Sequence, residues 1–126
     1  MNASTDTKDQ IAQAIEGVLE EVPALRQLKL VFVLELRGRG DVQQFRVELP
    51  GPKITKELGN DARVTIEMRR EFFNAMVSEG ARVADWREAF QYGQAKATGL
   101  SQILKLIERV VSMHEERTAL RRARQH

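Results

Sequence analysis

The residues able to do covalent or acid–base chemistry in this chain are few and poorly placed. It contains no cysteine and two histidines. Without cysteine there is no thiolate nucleophile, no disulfide framework and no cysteine-ligated metal. His114-Glu115 begins like the helical zinc-protease pattern, but Arg117 and Thr118 follow where the second histidine should appear. The other histidine is His126. Serines stand at 4, 78, 101 and 112, none in a strand-to-helix nucleophile elbow and none with a histidine partner. Glu35, Glu48 and Glu67 can approach one another across strands. By parity, however, they share faces with Lys29, Arg46, Arg63 and Arg69, which describes a solvated mixed-charge surface rather than a carboxylate pair for acid–base work. Arg39-Gly40-Asp41 is turn chemistry, and Gly38-x-Gly40 lacks the third glycine of a dinucleotide fingerprint. These residues point away from an enzyme and imply neither a metal nor a cofactor.

What remains is aliphatic. From Ala62 to Val111 an alternating run (Val64, Ile66, Met68) passes into an apolar-periodic segment with Phe72, Phe73, Met76 and Val77. A short segment with Trp86 and Phe90 follows, then the small-residue run Gly93 to Gly99, then a long amphipathic helix. Its stripe is Leu100, Ile103, Leu104, Ile107, Val110 and Val111. Periods of 2, 3.6, 2 and 3.6 in turn predict strand, helices, strand and helix.

The elements that must frame this stretch come earlier. Thr7-Lys8-Asp9-Gln10 has capping-box spacing, and Ile11, Ile15, Val18, Leu19 and Val22 recur at helical intervals up to Pro23. Met1 to Ser4 are expected to fray. Lys29 to Leu36 reads as a strand, with Leu30, Phe32, Leu34 and Leu36 on one face and Val31 and Val33 on the other. Apolar residues on both faces imply cover on both sides, and the first helix is assigned to Val31 and Val33. Gly38 to Asp41 is the turn, and Gln43 to Leu49 returns with Phe45, Val47 and Leu49 inward. Lys53 to Leu58 is a short edge strand or a loop. Gly80 and Gly93 stand where C-cap glycines end the two middle helices.

The chain has 126 residues, 42% hydrophobic and 30% charged, which fits one globular α+β domain. Its core spans about residues 7–111, with a basic extension over 112–126. Net charge is +2. Of 20 basic and 18 acidic residues, four arginines and two glutamates lie after Ser112, leaving the body neutral. A neutral body excludes a dedicated nucleic-acid-binding domain, whereas Arg117, Arg121, Arg122 and Arg124 offer a weak contact for an anionic membrane surface or a protein partner. There is no apolar run near ~18 residues and no signal pattern at the start, so a cytoplasmic location is expected. Asn2-Ala3-Ser4 matches a glycosylation acceptor, which carries no weight without secretion.

Large apolar walls beside small inward residues leave room for a ligand. The candidate lining is Phe32, Leu34, Phe45, Val47, Val64, Ile66 and Met68 on strands, and Phe73, Met76, Val77 and Phe90 on helices. Ala95 and Ala97 on the last strand and Leu100, Ile103, Leu104 and Ile107 on the last helix complete it.

The alternating strand into Phe72-Phe73, then Asp85, Ala89-Phe90, the glycine-bracketed run Gly93 to Gly99 and the helix from Leu100 resemble the sterol carrier protein type-two family. Together with the hairpin, the resemblance covers about 29–111. It implies a five-stranded, mainly antiparallel sheet covered by helices, with an apolar cavity for fatty-acyl or sterol-like lipids. The chain departs from the family at Phe45, where tryptophan is common, at Ala95 and Ala97, where larger aliphatics are usual, and in its arginine-rich end. The function expected is a non-catalytic carrier of a hydrophobic ligand. The alternative is a scaffold that keeps the fold without a lipid-competent cavity.

Overall fold

A computed structural model describes residues 3–124, with side chains from residue 7 to 124. Helix α1 (Ala3–Glu21) leads through a 3-10 turn (Pro23–Gln27) to the hairpin β1 (Val31–Arg37) and β2 (Val42–Glu48). The edge strand β3 (Lys53–Thr55), β4 (Val64–Arg69), α2 (Arg70–Ser78) and α3 (Val83–Gln91) follow. β5 (Ala95–Gly99) and α4 (Ser101–Arg124) complete the chain. The sheet order is β3-β2-β1-β4-β5, with β1 and β4 parallel and every other pair antiparallel. This is one α+β domain with a five-stranded, mainly antiparallel sheet. No helix among the described residues is long and apolar enough to cross a membrane.

Local chemistry explains most boundaries. α1 stops at Glu21 because Pro23 disfavours helical geometry in the residue before it, and Val22 turns to φ −124°, ψ 77°. It starts at Ala3, a full turn before the Thr7 capping box, since Ala3 to Asp6 contain neither glycine nor proline to stop it. The expected fraying at Met1 and Asn2 lies outside the described residues. In the hairpin turn Gly40 takes φ +77°, the Gly38 N–H donates to the Asp41 carbonyl at 2.9 Å, and the Asp41 carboxylate accepts from Arg70 Nη2 at 2.8 Å. Gly80 and Gly93 end α2 and α3 in the same Schellman geometry. Ala81 N–H reaches Met76 O at 3.0 Å, and Gln94 N–H reaches Ala89 O at 2.8 Å. The N-terminus of α3 is held from outside its own sequence, where Val83 N–H donates to the Glu21 carboxylate at 2.8 Å.

The register sets three inward rows across the sheet. They read Ile54–Val47–Phe32–Val64–Gly99, Phe45–Leu34–Ile66–Ala97, and Gln43–Leu36–Met68–Ala95. Every row ends at β5 in glycine or alanine. The opposite face carries Val31, Val33, Glu35, Arg46, Glu48, Thr65, Glu67 and Lys96, none of them fully buried. There Arg37 bridges Glu35 and Glu67, and Arg46 bridges Glu48 and Asp61. Helix α1 lies on the Phe32 face, where Ile11, Ala14, Ile15 and Val18 share a cavity with Phe32 and Leu34. Its assignment as cover for Val33 is therefore corrected, while Val31, at the start of β1, borders the same cavity as α1. Val33 pairs with Arg46 on β2, whose aliphatic stem gives partial shelter without a helix.

Candidate functional site

The two halves of the inward sheet face are covered differently. Over β3, α1 packs closely, and Phe45 and Val47 on β2 are fully buried, as are Ile11, Leu19 and Val22. Over β1, β4 and β5 the roof is shared by α1, through Ile11, Ala14, Ile15 and Val18, and by α4, which packs against β5 at one end and the 3-10 turn at the other. Val111 is the one fully buried residue of α4, while Ile103, Leu104, Ile107 and Val110 are half-buried. Between this helix and the sheet lies a cavity of about 1040 Å³. Ordinary protein interiors hold few voids larger than a water molecule, and ligand pockets run from about 300 to 1,000 Å³.

Energetics decide the state of this space. At ~24 cal/mol per Å³, a sealed and empty void of that size would cost on the order of 25 kcal/mol. That exceeds the roughly 5–15 kcal/mol that holds a domain together. The cavity is open, and its lining shows where. All its polar residues, Arg87, Glu88, Gln91, Tyr92, Glu108 and Glu115, belong to α3, its C-terminal flank or α4. Ala84, Arg87, Glu88 and Gln91 recur at helical spacing along α3, and Leu104, Glu108, Val111 and Glu115 do so along α4. The mouth is the cleft between these helices. Among the described residues one side-chain bond crosses it, the ion pair of Arg87 with Glu115. Tyr92, 70% exposed, stands at the rim beside Phe90.

Of the candidate lining, Phe32, Leu34, Val64, Ile66, Met68, Phe73, Phe90, Ala97, Ile103, Leu104 and Ile107 meet around this cavity. Six candidates lie elsewhere. Phe45 and Val47 point to the same sheet face but are fully buried in close-packed core away from the cavity. Ala95 is 2% exposed and packed in the core beside Met68. Met76 and Val77 lie one turn beyond Phe73 on α2 and border a separate groove of about 320 Å³ against α1. Leu100, 46% exposed, sits at the β5–α4 junction outside the cavity.

The sequence reading missed the contribution of α1 (Ile11, Ala14, Ile15, Val18), of Leu25, Leu30, Val31 and Leu49, and of α3 through Val83 and Trp86. The periodic signal of α1 was visible, but not the sheet face it would cover. Trp86 packs its ring against Phe73, with centroids 6.2 Å apart, and stands between the cavity and the small groove, lining both. The four tail arginines are exposed, as expected. Helix α4 runs unbroken through Ser112 to Arg124, so the basic extension continues the same helix. Glu115, inside the assumed extension, is part of the mouth.

No protein-family model matches the chain, and no curated protein sequence does. Solved structures do. The palmitated sterol carrier protein 2-like 2 of Aedes aegypti is 24% identical, with a TM-score of 0.53, over 78% of this chain and 91% of that one. Sterol carrier protein 2-like 3 of Aedes aegypti is 15% identical, with a TM-score of 0.51, over 90% of this chain and 97% of that one. At these identities the likeness speaks for the backbone alone. The chain has the sterol carrier protein 2 fold.

Proposed function

We propose that this protein is a non-catalytic carrier of a hydrophobic ligand, held between the β1–β4–β5 half of the sheet and helix α4. The observation that carries the reading is the cavity of about 1040 Å³, apolar everywhere except its mouth. An apolar chain entering it exchanges water for aliphatic wall, worth roughly 0.8 kcal/mol per methylene buried. The palmitated state of the Aedes aegypti relative names the class of molecule to test first. The scaffold alternative needs a closed core, and the open cavity argues against it. Arg117, Arg121, Arg122 and Arg124 project from the far end of α4, suited to a transient contact with an anionic membrane surface.

Native mass spectrometry of protein purified without detergent tests the reading. A co-purifying lipid, or uptake of added long-chain lipid recovered chemically unchanged, is the expected result. Failure to bind any apolar molecule refutes the carrier function, and turnover surviving removal of contaminants refutes its non-catalytic character.

A further inference from the structure

The mouth of the cavity carries a charge pattern that bears on the ligand's head group. Three of its polar side chains are carboxylates, Glu88, Glu108 and Glu115, and one, Arg87, is a cation. The cation is already engaged with Glu115 across the cleft. Glu88 and Glu108 have no ion-pair or hydrogen-bond partner among the described residues. Deeper in the cavity the lining residues are apolar.

Resting on the carrier reading, we infer that the mouth selects for an amphiphile whose head donates hydrogen bonds, such as a hydroxyl, and against one that ends in a carboxylate. Ionised carboxylates only accept hydrogen bonds, so Glu88 and Glu108 match a donor and leave an anionic head without a partner. The interior offers no rescue, because an unpaired charge is not tolerated in an apolar lining. Arg87 gives its Nη1–H to Glu115, whose carboxylate balances its charge, so a carboxylate head that reaches the remaining guanidinium donors meets a neutral pair flanked by two unpaired carboxylates. Both free glutamates are exposed, so the discrimination is a matter of roughly one order of magnitude and is sensitive to salt.

Trp86 is the only tryptophan in the chain and lines the cavity, so its fluorescence reports occupancy directly. The experiment titrates the full chain at neutral pH with dodecanol, dodecylammonium and dodecanoate, which share one chain and differ in the head. At low ionic strength the alcohol and the ammonium should each bind about tenfold more tightly than the carboxylate. The gap between the two ions should shrink markedly at about 0.5 M salt. The variant E88Q/E108Q, which changes two surface side chains, should bring dodecanoate to within about threefold of dodecylammonium.

Dodecanoate binding as tightly as dodecylammonium to the unaltered protein overturns the inference. So does a gap that neither salt nor E88Q/E108Q moves, since that reports only the different solubilities of the three chains. Binding of none of the three refutes the carrier reading as well, whereas equal binding of all three refutes the selectivity alone.

Discussion

Ala97 and Ala95 are neighbours on one face of β5, yet the structure places them in opposite environments. Ala97 pairs with Ile66, is half-buried and borders the cavity, whereas Ala95 pairs with Met68 and is 2% exposed in packed core. Leucine adds three carbons at either site. At position 97 they enter open space and cover apolar wall, worth at most about 2.4 kcal/mol at ~0.8 kcal/mol per carbon. The open mouth leaves part of that surface wet, so a gain of about 1 kcal/mol is expected for Ala97→Leu in ligand-free protein. At position 95 the same atoms have nowhere to go, and overpacking should cost about 1–3 kcal/mol. For a domain of this size each kcal/mol moves Tm by about 3–4 °C, so the two variants should separate by roughly 6 °C or more. The assay is thermal or denaturant unfolding of delipidated protein, beside a Trp86 fluorescence titration in which Ala97→Leu should also weaken ligand uptake. Equal destabilisation by both substitutions would show that the region under α4 is close-packed, and would refute the cavity argument.

Gly99 takes φ +135°, and a Cβ there would overlap the Arg63 carbonyl oxygen and stand 2.8 Å from Val64 Cα. Gly99→Ala should therefore cost about 3 kcal/mol or more by separating β5 from β4. Gly17→Ala, in the interior of α1 with open space at its Cβ, should stabilise by about 0.5–1 kcal/mol, and both changes are read by chemical denaturation. Hydrogen bonds from Gln44 and Arg37 hold the Glu35 carboxyl below the ordinary carboxylate range, and one from Arg46 does the same for Asp61. Their stabilising contribution is complete above that range and is lost as pH falls through the lowered values. Unfolding midpoints should thus decline below about pH 4, and less steeply in E35Q/D61N. Replacing Arg117, Arg121, Arg122 and Arg124 by glutamine should reduce co-sedimentation with anionic vesicles at low salt, each arginine near the surface contributing about 1 kcal/mol. Unchanged co-sedimentation would remove the tail from any membrane contact.

Much of this architecture follows from local rules. Periodicity alone separates the strands from the helices, Pro23 ends α1, Gly80 and Gly93 close α2 and α3, and Gly38 to Asp41 turns the hairpin, because each depends on φ/ψ preferences within a few residues. The inward faces of β1, β2, β4 and β5 were likewise legible, since a period of two fixes parity. Parity says which face a residue takes and nothing about what lies above it. Phe45 and Leu34 are inward neighbours in one row. Phe45 is fully buried in packed core while Leu34 opens on the cavity, and no local pattern distinguishes them.

The parallel β1–β4 pairing inserts β1 between β2 and β4, so that the close-packed Phe45 and Val47 of β2 lie to one side and the cavity-lining residues of β4 and β5 to the other. The same long-range arrangement moves α1 to the Phe32 face, sets α3 beside α4, and joins Arg87 to Glu115 across 28 residues of chain. Glycine and alanine on β5 supply the small side chains. It is the span of α4, held at β5 and at the 3-10 turn, that keeps Ala97 from being packed against. A void is a property of what fails to meet, and that is settled only when distant elements have docked.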